Sequence, residues 1–580
     1  MLNSIIEFSI RNKLIVGMLM VVLIVWGIYS ITLLPIDAVP DITNNQVQVL
    51  TVAPSQSALD IERLVTFPVE QTMATIPGIQ EIRSFSRFGL SVVTIVFTDA
   101  TDVYWARQQV GERLTEAKKQ IPPGVGTPEL APMSTGLGEI YQYILNVEPG
   151  YEEKFTIAEL RTIQDWIVRR RLLGTKGVAD VSSFGGYLKQ YEIALSPEKL
   201  RSLNLTISDV FVALENNNQN TGGAYIEKNS SAYFIRSEGL IQSEDDINAI
   251  VVRNSESGIP LLIRDVATVR QGHAIRYGAM TQNGKNETVG AVVMMLKGAN
   301  SAQVIANVKD RIAEIQKTLP EGITIEPFLD RTKLVNQAIH TVTRNLAEGA
   351  LIVIFVLVLL LGNLRAGLVV ASVIPLSMLF AVIMMNLFGV SGNLMSLGAI
   401  DFGLIVDGAV IIVEATLHHI SSAKFSTRIA QDQMDEEVGM SAKKMMNAAA
   451  FGQIIILIVY LPILSLLGIE GKMFKPMAQT VIFAIAGAFL LSCTYIPVAS
   501  TLFLSRNPVH KKNISDRIVD RIRRLYEPTL RWALHKKSFI ISMAFLLLAG
   551  SILIFSSLGG EFLPELDEGD FAVDTRILTG

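Results

Sequence analysis

Apolar and polar positions alternate along this chain in long blocks. Leu14 to Leu33 carries no charge, follows Arg11 and Lys13, and gives way to Leu34-Pro35-Ile36-Asp37. About 20 apolar residues suffice to cross a bilayer as a helix. A secretory leader has a shorter apolar core and a small-residue cleavage site, so the pattern predicts a retained membrane helix. From Pro35 to about 334 no comparable run occurs. Five apolar stretches then follow closely, at about 338–362, 366–389, 392–416, 449–468 and 478–504, and a seventh covers about 539–558.

The polar block reads as alternating strands and helices. Gln46 to Ala53 alternates like a strand, Ala58 to Thr75 has a helical pattern, and Ile82 to Phe97 holds two strands around Phe88-Gly89. Asp102 to Ile121 is a second helix, closed by Pro122-Pro123. That order predicts a ferredoxin-like βαββαβ subdomain. A second such unit starts with a strand at Glu139 to Val147, a helix at Thr156 to Leu173 and a strand at Val178 to Phe184. It is interrupted, and Gly290 to Leu296 with the helix Ser301 to Leu319 supply its other half. The insert, about 185–271, contains the polar run Asn216-Asn217-Asn218-Gln219-Asn220-Thr221-Gly222-Gly223. Such a run reads as an exposed loop or as an extended hairpin that touches a neighbour.

The loops set the orientation. Arg365 lies between spans 2 and 3, and Lys424, Arg428, Lys443 and Lys444 lie between spans 4 and 5. Arg506, Lys511, Lys512, Arg517, Arg521, Arg523 and Arg524 lie between spans 6 and 7. These loops share a side with the N-terminus, and by the positive-inside rule that side is cytoplasmic. The large polar block is then external. In the last loop Ile514, Ile518, Ile522 and Leu525 recur at helical spacing among arginines, as in a helix lying on the membrane surface. A solvated basic linker is the competing reading.

Composition narrows the class. Of 580 residues half are hydrophobic and 18% are charged, below the roughly 25% of ordinary soluble domains. The net charge of −4 offers no basic field for nucleic acid. A single cysteine, Cys493, excludes an intrachain disulfide and a cysteine metal cluster. The fold class predicted is a membrane protein. It is an α-helical transmembrane bundle with an α+β external region of ferredoxin-like βαββαβ subdomains.

The candidate chemistry lies in span 4, Asp401-Phe402-Gly403-Leu404-Ile405-Val406-Asp407-Gly408-Ala409-Val410-Ile411-Ile412-Val413-Glu414. Each carboxylate inside a membrane costs at least roughly 2.5 kcal/mol by insertion scales. Asp407 and Glu414 are seven apart, hence on one helix face and about 10 Å apart along the axis. Burial favours the neutral form of a carboxylate and a nearby cation the charged form. A group held between the two can load a proton on one side and release it on the other. For Asp401 and Glu414, near the ends of the span, simple access to water is the alternative. Apart from Arg344 near the start of the second, the apolar stretches contain no lysine or arginine, so a counter-cation would come from elsewhere. Asp401-Phe402-Gly403 lacks the companion motifs of a kinase, and neither a Walker A loop nor His-Glu-x-x-His occurs. His418 and His419 read as interfacial rather than metal ligands. Met384, Met385 and Met395 read as packing ahead of soft-cation ligands.

A repeat completes the picture. Lys13 to Pro40 and Lys537 to Pro564 both span 27 positions, each with a basic flank, a span and an acidic, proline-containing exit. The expectation is a duplicated protein whose second half begins near the end of this chain.

With these residues in view, the chain resembles the resistance–nodulation–division (RND) efflux pumps, in particular their heavy-metal Cus- and Czc-type branch. The resemblance covers the whole chain. It rests on the layout, on Leu34-Pro35-Ile36-Asp37-Ala38-Val39-Pro40-Asp41-Ile42, on Gly136-Leu137-Gly138-Glu139-Ile140-Tyr141, on the span-4 run, and on Glu561 to Asp570. Multidrug members carry two adjacent aspartates in span 4. Here Asp407 is followed by Gly408 and preceded by Asp401, as in metal exporters. The resemblance implies twelve spans, seven of them present, and a homotrimer in the Gram-negative inner membrane driven by proton influx. It implies a proton relay of Asp407, Asp401 and Glu414, with no cofactor beyond the transported divalent metal ion and protons. It implies that Asn216, Asn217, Asn218 and Asn220 belong to a hairpin docking on the adjacent protomer. Partners would be a periplasmic adaptor (membrane fusion) protein, an outer-membrane channel and the lipid bilayer, with no nucleic acid.

The expected division is a first helix in 1–34, a first porter subdomain in 35–132, and a second in 133–184 and 272–334 around a docking subdomain in 185–271. Helices 2–6 take 335–504, the surface helix 505–534, helix 7 535–558, and a second porter half starts at 559–580. Copper and silver pumps have a methionine thirteen residues after the glutamate matching Glu561, where this chain has Asp574. Thioethers favour Cu(I) and Ag(I) and carboxylates favour harder ions. This points to Zn, Co, Cd or Ni, unless Asp574 is merely an exposed strand residue. The rivals are a copper/silver exporter, a multidrug pump, a protein-export or sterol-sensing relative, and an intramembrane aspartyl protease. The last needs two facing aspartates, whereas Asp401 and Asp407 share one helix, about 9 Å apart by rise.

Overall fold

The computed structural model describes residues 2–37, 40–54, 56–254, 258–276, 278–398, 400–422, 429–505, 514–559 and 573. The chain divides into two compact units, 1–131 with 300–302 and 331–580, and 132–299 with 303–330.

The first unit begins with helix α1 (Leu2–Arg11), the apolar helix α2 (Lys13–Leu33) and a two-residue strand β1 (Ile36–Asp37). A four-stranded sheet follows. Its elements are β2 (Asn45–Val52), a helix α3 over 58–73, β3 (Ile79–Arg87), β4 (Leu90–Phe97), α4 (Val103–Gln120) and β5 (Thr127–Leu130). The strand order β3-β4-β2-β5, antiparallel throughout, is that of a ferredoxin-like βαββαβ unit. Alternation drives it: Val47 and Val49 of β2 and Val93, Ile95 and Phe97 of β4 point into one core with Ile61, Val65, Val69 and Val110. Asp102 caps α4 by accepting the Trp105 amide, which fixes where the polar loop turns helical.

The second unit repeats this plan around an insert. It contains β6 (Glu139–Val147), α5 over 157–172 and β7 (Val178–Gly185). The insert holds β8 (Lys189–Leu195), α6 (Ile207–Asn216), the hairpin β9 (Thr221–Lys228) with β10 (Ser231–Ser237), and β11 (Ala267–His273), which pairs with β8. The chain then returns as β12 (Val289–Met295), α7 (Ser301–Gln316) and β13 (Ile323–Asp330). The order β13-β6-β12-β7 matches the first sheet strand for strand. The insert has its own core of Leu200, Leu205, Val210, Ile247, Ile263 and Val266.

The rest of the first unit is helical: α8 (Thr332–Leu361), α9 (Leu364–Ala371), α10 (Val373–Leu387), α11 (Phe402–Ser422), α12 (Gln431–Leu464), α13 (Gly468–Cys493), α14 (Tyr495–Phe503), α15 (Ile514–His535) and α16 (Lys537–Ser557). A short strand β14 (Gly392–Asn393) between α10 and α11 pairs in parallel with β1. Among the described residues seven helical stretches are long and apolar enough to cross a membrane.

Two begin earlier than apolar content suggests. α12 starts at Gln431 rather than 449, because Met434, Val438, Ala442, Met446 and Ala450 recur every four residues and are buried; averaged hydropathy hides this stripe among charges. α13 starts at Gly468 rather than 478 and so carries Lys472 and Lys475. The helices therefore do hold basic residues, Lys472 and Lys475 in α13 and Lys333 and Arg344 in α8. α16 buries none of its residues within this chain.

Candidate functional site: the acidic helix

Helix α11 is built to be buried on one side. Asp401 starts it by accepting the Gly403 amide at 2.8 Å. Phe402, Ile405, Val406, Ala409, Ile412, Val413 and Ile420 then pack into the bundle core. Thr416, also buried, returns its hydroxyl to the Ile412 carbonyl at 2.8 Å, so the polar atom costs the apolar interior little. The neighbours on this side are α12, α13 and α10.

The opposite side carries the acids. Asp407, Glu414 and His418 are exposed, and their spacings of seven and four residues put them on one stripe. Asp401 is exposed at the first turn, where its carboxylate serves the helix start. Asp407 and Glu414 thus share a face, and Asp401 sits at the end of the helix rather than within it.

Gly408 lies on the buried side, one residue from Asp407. A Cβ there would stand 2.6 Å from Gln453 Nε2 of α12 and 3.0 Å from Ser492 Oγ of α13. Only glycine lets these polar side chains approach the helix so closely.

Polar links hold the end of the bundle near the N-terminus. His419 Nδ1 stands 2.6 Å from Glu437 Oε2, an ion pair when the imidazole is protonated, though off the line of a hydrogen bond. Lys13 Nζ donates to both Asp435 oxygens at 2.6 and 2.7 Å, and Gln431 donates to Asp435 at 2.8 Å and to the Thr501 carbonyl at 3.3 Å. At the other end, Lys472 joins α13 to the first sheet subdomain. Its ammonium meets Asp99 at 2.9 Å, the Thr43 carbonyl at 3.1 Å and Asn44 Oδ1 at 3.2 Å.

The remaining sequence candidates are placed as follows. Met385 is fully buried beside Leu34, Val382 and Val390 and accepts the Thr480 hydroxyl at 3.7 Å, which is a packing role. Among the described residues no group of three His, Cys, Asp or Glu side chains is arranged to hold a metal. Asp574 lies outside the described residues. Asn216 ends α6, and Asn217 donates to the Ala213 carbonyl at 2.8 Å. Asn218 accepts the Ile241 amide at 3.1 Å, and Asn220 accepts the Gly239 and Leu240 amides at 2.9 and 3.3 Å. The asparagines therefore close the base of the β9–β10 hairpin. The reach comes from strands that are exposed throughout.

Sequence reasoning did not single out Gln453, Ser492 or Lys472. Gln453 had a readable signal, since it is the one amide in the apolar run 449–464.

The AcrB/AcrD/AcrF family profile matches residues 5–580. The cation efflux system protein CzcA of Alcaligenes sp. (strain CT14) is 44% identical over 586 residues, covering 100% of this chain and 55% of that protein. The cobalt-zinc-cadmium resistance protein CzcA of Cupriavidus metallidurans is also 44% identical, with the same coverage. A crystal structure of a heavy metal efflux pump superposes with a TM-score of 0.82 at 32% identity, covering 97% of this chain and 53% of that one. The chain spans about half the length of the curated relatives it matches. By fold, acidic helix and sequence, the chain belongs to the AcrB/AcrD/AcrF family of RND transporters, in its heavy-metal branch.

Proposed function

We propose that the whole protein exports divalent heavy-metal cations in exchange for protons, and that this chain supplies its first repeat. The observation that carries the reading is the exposed stripe of Asp407 and Glu414 on a helix whose opposite side is buried in the bundle. Ionisable groups within membranes face protein or a water-filled path rather than lipid. The stripe therefore asks for a covering element, which the remaining length of the relatives could provide together with a cation. Asp407, at mid-helix, takes and releases the transported proton. Glu414, about 10 Å further along, passes it towards the basic, cytoplasmic side, and Asp401 receives it at the opposite end.

The metal is Zn, Co, Cd or Ni. The name of the cobalt-zinc-cadmium relative and the carboxylate of Asp574 in place of a thioether support this choice. The α+β region would lie in the periplasm, with the exposed β9–β10 hairpin docking a trimer and an adaptor and outer-membrane channel completing the export path.

The test is Asp407→Asn in the whole protein reconstituted in vesicles. Zinc flux driven by a pH gradient should vanish, while membrane insertion and trimer formation persist. Undiminished gradient-driven flux would refute the relay.

A further inference from the structure

Behind the acidic helix the bundle encloses polar atoms that the proposed relay does not use. Gln453 is 2% exposed and Ser492 is fully buried. Among the described residues, both amide atoms of Gln453 and the hydroxyl of Ser492 lack hydrogen-bond partners. The two side chains come from different helices, α12 and α13, and the Gln453 Nε2 and Ser492 Oγ atoms converge on Gly408 of α11. Each unpaired buried polar group costs about 1–3 kcal/mol, and native interiors pair nearly all of them, often through ordered water. A buried water needs two to four polar partners. One amide donor, one amide acceptor and one hydroxyl meet that requirement. A purely structural glutamine would find a protein partner, as Gln164 does with Tyr143 and Ser183.

We propose that Gln453 and Ser492 hold an ordered water beside Gly408, and that this hydrated joint positions the helix segment carrying Asp407. The water ties α12 and α13 together at the level of the relay carboxylate. A methyl at Gly408 would press on both side chains that hold the water. Gln453 and Ser492 are thus positioning residues: they act on Asp407 through the placement of α11 and do not themselves exchange the transported proton. This inference rests on the proton-driven reading above for its functional consequence, and on geometry alone for the water.

Two measurements on the whole protein in lipid nanodiscs and vesicles test it. A high-resolution density map should show a water within hydrogen-bond distance of the Gln453 amide and the Ser492 hydroxyl. A Gln453 amide bonded directly to Ser492 or to a backbone carbonyl, with no water, overturns the proposal. The double variant Gln453→Leu, Ser492→Ala removes the polar groups and keeps most of the volume. The pH midpoint of its zinc flux should move by about one unit, equivalent to about a tenfold change in proton affinity. An unchanged midpoint overturns the positioning role. If the variant fails to insert, the map alone decides the water site. If the wild-type protein shows no proton-coupled flux, the functional reading falls while a density-resolved water leaves the site standing.

Discussion

Lys472 offers the most direct test of how the membrane helices engage the first sheet subdomain. Its side chain is 19% exposed, and its ammonium is the hub of three contacts at 2.9–3.2 Å with Asp99, the Thr43 carbonyl and Asn44. Lys472→Met keeps the apolar stem and removes the charge. The two neutral acceptors are worth about 1 kcal/mol each. Asp99 is 48% exposed, so its ion pair adds at most about 1 kcal/mol. Freeing the lysine chain returns roughly 1.5 kcal/mol of entropy. The net loss is about 0.5–1.5 kcal/mol, at most roughly a tenfold rise in local opening at 1.36 kcal/mol per decade. Amide hydrogen exchange of the reconstituted protein should then run faster over 43–52, where the chain enters β2, by up to about tenfold. Asp99→Asn alone should change it less than about fivefold, because the ion pair is screened by solvent and Lys472 keeps its two neutral acceptors. Protection over 43–52 that is unaltered in Lys472→Met would refute the hub. A full effect from Asp99→Asn alone would move the interaction to the ion pair and refute the division of energies.

Three further outcomes follow from the same geometry. Asp401 both caps α11 and is proposed to carry protons. Asp401→Ser keeps a capping oxygen, whereas Asp401→Ala should lower the thermal midpoint through the loss of about 1 kcal/mol; equal zinc flux in wild type and Asp401→Ser would assign Asp401 to capping alone. Tyr143 is fully buried and donates to Gln164 at 3.1 Å, so Tyr143→Phe strands the Gln164 carbonyl oxygen and should destabilise by about 1–3 kcal/mol in a denaturant titration. The Arg276 guanidinium at 2.8 Å holds the Glu287 carboxyl below the usual carboxylate range. That contribution is present above the unfolded carboxylate pKa of about 4.3 and lost as pH falls through the lower folded value. Protection around the Thr281–Glu287 bridge, measured against the intrinsic exchange rate at each pH, should therefore fall on acidification in the wild type and show no such pH step in Glu287→Gln.

Periodicity made the elements legible and left their polar partners hidden. The period-2 stretch at 46–53 became the central strand β2, because a strand with one buried face must alternate, and the apolar stretch at 139–147 became β6, buried at most positions. The interruption of the second sheet was readable for the same reason: Gly290 to Leu296 is a buried strand with no sheet of its own nearby in sequence. Apolar runs located the membrane helices and missed their polar ends, as at Gln431 and Gly468. A helix there continues on an amphipathic stripe or on capping, neither of which raises mean hydropathy.

The candidate site divides along the same line. One-dimensional spacing placed Asp407 and Glu414 on a common face, because helical phase is a local property. It could not say which way that face points, since this depends on the packing of α11 against helices up to about ninety residues away. The Lys13–Asp435 pair joins residues 422 positions apart, and Lys472 reaches back to Asp99; no local pattern encodes either. The sequence cost of a polar residue in an apolar run is nonetheless informative. Asp407 and Gln453 both violate the apolar pattern, and folding brings them to adjacent positions on two sides of one helix, the acid outward at residue 407 and the amide against residue 408. Two violations that meet at one level of a membrane bundle share a cause, since each alone would be a penalty in hydrocarbon. A carboxylate that must change protonation state needs its helix held in register while its own charge changes. An amide and a hydroxyl on the buried side can supply that hold without adding a charge of their own.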